Sequence, residues 1–315
     1  MAVDFKGANA TQLFQEACWF MSMNAVEEAS RNGPVLTIPR PVTFSLTQPR
    51  RRHLFYARRK PNHVFHVMEF IWMMAGMNDV TWLTQFNKNI SRYTEDNIMH
   101  GAYGHRWSRH FEVNQLSVAS ARLKKNPDDR QVVVTMWDPN VDLRMNRFRD
   151  RPCNTQIFFR VDTSGRLDMH VINRSNDLIW GALGSNIVHF TMLQEVMARV
   201  CGYEIGTYYV TTNNLHVYKE LPQLARYLSE GKNLQSPGEA YGTAPILSKD
   251  SYLDKFVWAC QNFILDDKRE TTWFEDVAGP MKDWYLNKDE RSKLIGRVID
   301  PSWRFALRQF NGEQS

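Results

Sequence analysis

The chain has 315 residues, enough to bury a large hydrophobic core as one big domain or two small ones. Hydrophobic residues make up 43% and charged residues 23% of the chain, which excludes an intrinsically disordered protein. The net charge of +5 suits an anionic ligand, but no basic stripe typical of DNA-binding proteins is present, so direct DNA binding is not expected.

The cysteine pattern and the chain start predict a cytoplasmic protein. The four cysteines are far apart and form no CxxC pair, which favours neither a metal site nor a disulfide framework. The first residues lack the charged and apolar regions of a signal peptide. Apolar stretches are interrupted well before the roughly 18 residues that span a membrane. We therefore expect no metal and no membrane association.

Helix and strand patterns alternate along the chain. A helix is predicted over Ala10–Arg31, and the proline-containing segment Val35–Leu46 is predicted to be an edge strand or hairpin. Pro61–Met74 has the pattern of an apolar helix. Two alternating strands, Gln156–Val161 and Arg166–Asn173, are joined by a turn sequence and predict a hairpin. The class is therefore α+β, with a mixed α/β arrangement of one sheet packed with helices.

Two basic runs, Arg50-Arg51-Arg52 and Arg58-Arg59-Lys60, lie close together. Such runs usually form solvated loops. The alternative is a surface that recruits a polyanion such as RNA or an acidic tail. The sequence leaves both interpretations open.

Two side chains stand out for their chemistry. Glu69 is a single carboxylate among bulky apolar residues, and burial would raise its pKa toward neutrality and suit it to proton transfer; the alternative is a place on the solvated side of the helix. Cys153 follows a proline and precedes a strand. Arg151 and Arg174 could lower the pKa of its thiol and produce a nucleophilic thiolate, whereas most single cysteines are structural.

An ordered set of motifs resembles the thymidylate synthase family. From about residue 30 to residue 220, the matching elements are Arg31-x-Gly33, Glu69 in HVMEFIWMMAG, Tyr103-Gly104-x-x-Trp107, Pro127-Asp128-Asp129-Arg130, Pro152-Cys153, Arg174-Ser175-x-Asp177, Gly181, Asn186-Ile187 and His216-x-Tyr218. Each motif alone is weak, but their order and spacing are specific.

The resemblance implies a thymidylate synthase-like fold and a homodimer formed through the sheet. Cys153 would attack carbon 6 of a pyrimidine nucleotide. Glu69 and Tyr103 would move protons, and Asn186 would bind the base edge and complete the catalytic set. The residues implied for the remainder of the nucleotide are Arg31, Arg174 and Ser175 for the 5′-phosphate, Arg130 donated from the other subunit, and His216 and Tyr218 for the sugar hydroxyl.

The implied cosubstrate is 5,10-methylenetetrahydrofolate, with no metal. Asp177 would hold its pterin, with Arg59 and Glu69 also on the folate side. Residues 1–230 would form the catalytic domain, and residues 231–315 a helical extension packed on the same domain. This extension could cap the dimer, cover the active site or bind a partner enzyme.

Several departures from the family pattern change the expected product. Asn154 replaces a histidine, Phe158 replaces a glutamine, and Asn186 lies one residue further from Gly181 than usual. The chain ends RFALRQFNGEQS rather than in the apolar tail that shields the synthase site from water. Water could then add, and the sequence resembles the nucleotide hydroxymethylase branch known from phages, which would place the protein in the host cytoplasm.

The most favoured function is therefore dUMP hydroxymethylase. The alternatives are thymidylate synthase itself, a dCMP or CMP hydroxymethylase, and a non-catalytic nucleotide- or RNA-binding protein. The cytidylate branch is expected to carry an aspartate in place of Asn186, which favours dUMP.

Overall fold

The computed structural model describes residues 2–56, 59–144, 150–221, 224–231, 242–248 and 251–312. Their strands are β1 (Val3–Gly7), β2 (Val26–Glu28), β3 (Val35–Ile38), β4 (Val42–Leu46), β5 (Val133–Thr135), β6 (Asn154–Val161), β7 (Arg166–Asn173), β8 (Asn176–Asp177), β9 (Glu204–Thr212) and β10 (Leu215–Tyr218). Their helices are α1 (Ala10–Asn24), α2 (His63–Met74), α3 (Tyr103–His105), α4 (Gln115–Lys125), α5 (Pro139–Asp142), α6 (Asn186–Cys201), α7 (Leu224–Gly231), α8 (Leu253–Asp266), α9 (Gly279–Leu286), α10 (Arg291–Leu294) and α11 (Pro301–Asn311). The predicted α+β fold is confirmed.

The larger sheet has the order β1-β4-β9-β7-β6-β5. Its β1/β4 and β7/β9 pairs are parallel and the other pairs are antiparallel. Alternate side chains such as Ile157, Met169 and Val210 are buried on the face that α6 covers. This alternation follows from the two-residue period of a strand. Helix α6 is buried along nearly its whole length, although it carries polar side chains such as those of His189, Gln194 and Glu195.

The smaller sheet has the order β2-β3-β10-β8 and gathers several of the predicted site residues. Strand β8 pairs in parallel with β10, which sets Asp177 opposite His216. Strands β3 and β4 belong to different sheets, so the prediction of one edge strand or hairpin over Val35–Leu46 was wrong. Pro39 and Pro41 lie between them and cannot donate to a ladder.

Two other local predictions were also wrong. The first helix ends at Asn24 rather than Arg31, because Val26–Glu28 pairs with β3 as an edge strand. The sequence of Val80–His100 is mostly polar and predicts a helix as well. In the structure this segment contains short 3₁₀ helices at Leu83–Gln85 and Lys88–Tyr93 instead. Tertiary pairing overrides local propensity at such places. Among the described residues, no helix is long and apolar enough to cross a membrane.

The C-terminal helices pack against α2. Helices α8, α9 and α11 all contact it. The ring centroids of Trp303 and His53 are 4.0 Å apart, and the Tyr285 hydroxyl donates a hydrogen bond of 2.8 Å to the carbonyl of Phe86. The domain division at residue 230 stays a prediction, since residues 232–241 lie outside the described chain.

The basic segment after Pro49 is largely an interior feature. Arg52 is fully buried and pairs with the buried carboxylate of Glu195 on α6. Glu195 also accepts a hydrogen bond of 3.0 Å from the backbone N–H of Ile246 and lies 3.3 Å from Nε of Arg50. Arg59 is buried as well. The expected solvated loop or polyanion surface was therefore wrong for Arg52 and Arg59; Arg58 lies outside the described residues.

We predict that Glu195→Ala lowers the free energy of unfolding by about 3–5 kcal/mol, because the substitution removes the carboxylate that pairs directly with the buried Arg52 guanidinium. Urea denaturation followed by circular dichroism measures the loss. Glu204→Ala is the control, since that carboxylate is largely exposed and lies 3.6 Å from Nη1 of Arg199. Its loss should stay below about 1 kcal/mol. Equal losses in the two variants would contradict the account.

Candidate active site

Cys153 and Arg174 are fixed together where β6 begins and β7 ends. The Arg174 backbone N–H donates to the Cys153 carbonyl at 3.0 Å. Its guanidinium donates to the carbonyls of Pro152 at 3.0 Å and Arg151 at 3.2 Å, and Nη2 lies 3.7 Å from the Cys153 sulfur. A register shift just after Asn154 interrupts the β6/β7 ladder. Such bulges commonly redirect a side chain beside an active site.

Burial raises the pKa of the Cys153 thiol, while the charges of Arg174 and Arg31 lower it. The net effect raises the pKa of the thiol, so the prediction that this pKa is lowered was wrong. Desolvation of the thiolate outweighs the attraction of the two cations. Arg151 is not among the charges that act on the thiol. Arg31 takes its place, from the turn that precedes β3.

Tyr103 lies close to both Cys153 and Glu69. The Glu69 side chain is 17% exposed, and burial raises its pKa to about 8, which agrees with the apolar sequence around it. Burial also raises the pKa of Tyr103, and both Glu69 and Cys153 act on that hydroxyl electrostatically. The Tyr103 hydroxyl also lies against Asn154. The Tyr103 phenol therefore interacts with both the Cys153 thiol and the Glu69 carboxyl group.

Asn186 reaches the site despite its unusual spacing from Gly181. The intervening segment Leu178–Ser185 is π-helical, and a π-helix accommodates an extra residue within a helical turn. The Asn186 Nδ2 donates a hydrogen bond of 3.2 Å to Oδ1 of Asn176. A β-carbon at Gly181 would collide with that same oxygen, so glycine is required there. The bond to Asn176 fixes how the Asn186 amide is turned.

The edge of the smaller sheet next to this segment carries Ser175, just before β8, and His216 and Tyr218 on β10. Nδ1 of His216 lies 3.4 Å from the Ser175 hydroxyl and 3.0 Å from Oδ1 of Asn214. The Tyr218 hydroxyl accepts a hydrogen bond of 3.4 Å from Asn32. Asn32 is the neighbour of Arg31, so the cation and the phenol belong to one side of the site.

Asp177 and Arg59 hold polar atoms that the protein leaves without partners. Oδ1 of Asp177 accepts from the backbone N–H of Trp180 at 2.6 Å, but its buried Oδ2 has no hydrogen-bond partner among the described residues. Arg59 donates to the carbonyl of Ile179 and lies 5.2 Å from the centroid of the Trp180 ring. Its Nε and Nη1 lack partners within the same ranges. These atoms and the half-exposed indole suit a flat, polar ligand.

Arg130 lies apart from the other predicted residues. It is exposed in the turn after α4, beside the ion pair of Arg122 with Asp129. In the part of the chain that the structure describes, no contact joins it to Cys153. A cavity of about 480 Å³, lined in part by Arg199 and Trp273, is likewise separate from Cys153. The described residues contain no group of three or more His, Cys, Asp or Glu that could hold a metal ion.

His189 is a member of the site that the sequence interpretation missed. Its Nε2 lies 3.3 Å from Oε2 of Glu69, and its side chain is 2% exposed. The sequence held one signal for it. His189 lies three residues after Asn186 on the same helix, and residues with this spacing share a helix face.

This geometry agrees with comparisons to known proteins. The thymidylate synthase family model matches residues 38–240, which include Glu69, Cys153 and Asn186 but not Arg31. The chain belongs to the thymidylate synthase family. That match also confirms the predicted family fold.

Three phage relatives are named deoxyuridylate hydroxymethyltransferase. The chain is 46% identical to that of Pseudomonas phage M6 over 217 residues, covering 69% of this chain and 62% of the relative. It is 36% identical to that of Bacillus phage SP01 over 225 residues, covering 68% and 58%, respectively. For Delftia phage PhiW-14, the identity is 35% over 200 residues, covering 60% and 55%. The chain thus spans less than two thirds of the length of each relative.

We predict that Arg174→Gln slows alkylation of Cys153 by iodoacetamide at a fixed pH. The substitution removes the cation that most lowers the thiol pKa, and each unit by which the pKa rises reduces the thiolate fraction about tenfold. Peptide mass spectrometry follows the rate at this cysteine. Arg151→Gln is the matched control and should leave the rate unchanged. A slower reaction in the control alone would contradict the assigned electrostatics.

Proposed function

We propose that the protein is a dUMP hydroxymethylase, which makes 5-hydroxymethyl-dUMP from dUMP, methylenetetrahydrofolate and water. The observation that carries the proposal is the Cys153–Arg174 pair, with Glu69, Tyr103 and Asn186 around it. The 46% identity to a phage deoxyuridylate hydroxymethyltransferase supports the choice of product within the family.

The proposed nucleophile is the Cys153 sulfur, which adds to carbon 6 of the pyrimidine and makes carbon 5 nucleophilic. The guanidinium groups of Arg174 and Arg31, with the Ser175 hydroxyl, would bind the 5′-phosphate. His216 and Tyr218 would bind the sugar hydroxyl. Carbon 5 would take the one-carbon unit, and loss of the proton on carbon 5 would then expel tetrahydrofolate and leave an exocyclic methylene group. Water would add to that methylene group, and departure of the sulfur from carbon 6 would release 5-hydroxymethyl-dUMP.

Asn186 is the proposed reader of the base. Uracil presents a carbonyl oxygen and an N–H on the edge that Asn186 would bind, and a carboxamide offers one donor and one acceptor to match. The hydrogen bond to Asn176 holds this amide in one orientation, because rotation would set two carbonyl oxygens against each other. A fixed amide can discriminate between bases, and a carboxamide rather than a carboxylate favours uracil over cytosine.

Asp177 and Arg59 are the proposed folate-binding residues. Their unpartnered buried atoms, next to the exposed Trp180 ring, fit a pterin with polar edges. Methylenetetrahydrofolate would supply the one-carbon unit that carbon 5 receives. Glu69, with a pKa of about 8, is largely protonated at neutral pH and would hold or pass a proton between Tyr103 and water.

The proposed dimer uses the face of the larger sheet opposite α6. Phe158 is 37% exposed there, and the rings of His170 and Tyr209 extend the same aromatic row. A second copy would cover this face and donate Arg130 to its partner's phosphate site. Sedimentation of the active protein as a single chain would contradict this arrangement.

A dUMP hydroxymethylase should form 5-hydroxymethyl-dUMP as its only nucleotide product. On incubation with dUMP and methylenetetrahydrofolate, mass spectrometry should detect 5-hydroxymethyl-dUMP, with no rise in the near-ultraviolet absorbance of dihydrofolate. Cys153→Ala should abolish turnover, because no other group described at the site can supply the sulfur nucleophile. Cys201→Ala, a change at a cysteine on the far end of α6, is the control and should remain active.

Other products would assign other functions. Formation of dTMP with dihydrofolate would make the protein a thymidylate synthase. Conversion of dCMP or CMP but not dUMP would assign the cytidylate branch. Full activity of Cys153→Ala would overturn the catalytic assignment.

A further inference from the structure

His189 is placed to control the proton of Glu69. It lies on α6, which packs across α2, and its Nε2 is 3.3 Å from the Glu69 carboxyl. The titratable groups that the structure places around Glu69 are His189 from α6, Tyr103 from α3 and His66 from α2 itself. None of these carries a formal charge at neutral pH, because burial shifts the pKa of each toward its neutral form. No charged neighbour therefore opposes the desolvation that raises the pKa of Glu69, and His189 can act on the carboxyl group only through a hydrogen bond.

The orientation of the His189 ring follows from its second contact. The ring donates a hydrogen bond to the backbone of His66. Nε2 has no well-aligned hydrogen-bond partner within the described residues, so we assign that bond to the Nδ1–H. In a neutral imidazole the other nitrogen then carries a lone pair. That lone pair faces Glu69.

Burial keeps this imidazole neutral. The pKa of His189 is lowered to about 3 by desolvation, and the hydrogen bond to the backbone offsets only part of that effect. The ring of His66 lies 6.1 Å from that of His189, centroid to centroid, and His63 continues the row at 5.4 Å from His66. These neighbours are also neutral, since burial lowers their pKa values.

The Nε2 lone pair of His189 interacts differently with the ionised and the protonated form of the Glu69 carboxyl group. It repels a carboxylate but accepts a hydrogen bond from a carboxylic acid. We propose that His189 is a positioning residue that holds Glu69 as the neutral acid, with the Glu69 proton on Oε2 toward Nε2 of His189. The second carboxyl oxygen of Glu69 is then an acceptor, ready for a hydrogen bond from water or from Tyr103 in the nucleotide site.

The proposal deepens the proposed function, because the water that adds to the one-carbon unit must meet an acceptor in this site. The Glu69–His189 contact itself needs no substrate. The pair and the enzymatic role can therefore be tested separately.

Nitrogen-15 NMR of the ligand-free, histidine-labelled chain tests the pair. The His189 signals are assigned by their loss in His189→Gln. We expect the neutral tautomer with the proton on Nδ1 from about pH 6 to pH 9. A proton on Nε2, or a doubly protonated ring near neutral pH, would overturn the proposal whether or not the protein proves to be a hydroxymethylase.

The pH profile of kcat tests the role. If turnover needs the acid form of Glu69, activity is present below a pH of about 8 and falls as the pH rises through that value. In His189→Gln the amide can turn its N–H toward Glu69, which stabilises the carboxylate. The descending limb should therefore move to lower pH by on the order of one unit, a tenfold loss of activity above it.

The control is His53→Gln. His53 is fully buried and packs on Trp303, and the structure describes no contact between it and Glu69. In His53→Gln, the fall of kcat at high pH should occur at the same pH as in the unmodified chain. An unshifted limb in His189→Gln would overturn the role of His189, and an unmodified chain with no turnover would instead overturn the proposed function. If His189→Gln does not fold, His189→Asn replaces it, and the NMR result decides independently.

Discussion

The burial of one carboxyl group, that of Glu69, is the constraint on which the site depends. A carboxylate among Phe, Ile and Trp side chains is unfavourable, and the group responds by holding its proton to a pKa of about 8. The raised pKa follows from the desolvation of this group by the side chains around it. Helix α6 closes one side of α2, and the C-terminal helices α8, α9 and α11 pack against α2 as well. The packing that stabilises the fold therefore also sets the chemistry of the carboxyl group.

The second organising feature is the small sheet beside the main one. It sets the Asp177 strand next to the His216 strand and continues into the turn that carries Arg31. Arg174, held by two backbone carbonyls, then links this edge to Cys153. Strand pairing thus brings polar groups that are far apart in the sequence to one edge, and the Arg174 guanidinium is anchored there on two backbone carbonyls.

Local patterns predicted part of this structure well. The hairpin of β6 and β7 and the apolar helix α2 follow strong periodicity, and the structure has both. The motif order supplied the site residues, whose roles stay predictions. The sequence gives no reason for the shifted spacing of Asn186, because a π-helical turn that absorbs one residue leaves no clear mark in the pattern.

The remaining differences come from tertiary contacts. Arg52 belongs to an apparent surface run, yet its partner Glu195 lies 143 residues away. The pKa of Cys153 depends on burial, which a list of nearby arginines does not reveal. His189 contacts Glu69 only because α6 packs against α2. Each case involves desolvation or a long-range partner, neither of which a single segment can specify.

The central claim is that Cys153 bonds to carbon 6 of a pyrimidine nucleotide. The most direct measurement is mass spectrometry of the chain incubated with 5-fluoro-dUMP and methylenetetrahydrofolate. Fluorine cannot leave carbon 5 as a proton does, so the reaction should stall with the nucleotide attached, and digestion should locate that mass on the peptide containing Cys153. Absence of an adduct, or an adduct on Cys18, Cys201 or Cys260, would contradict the account.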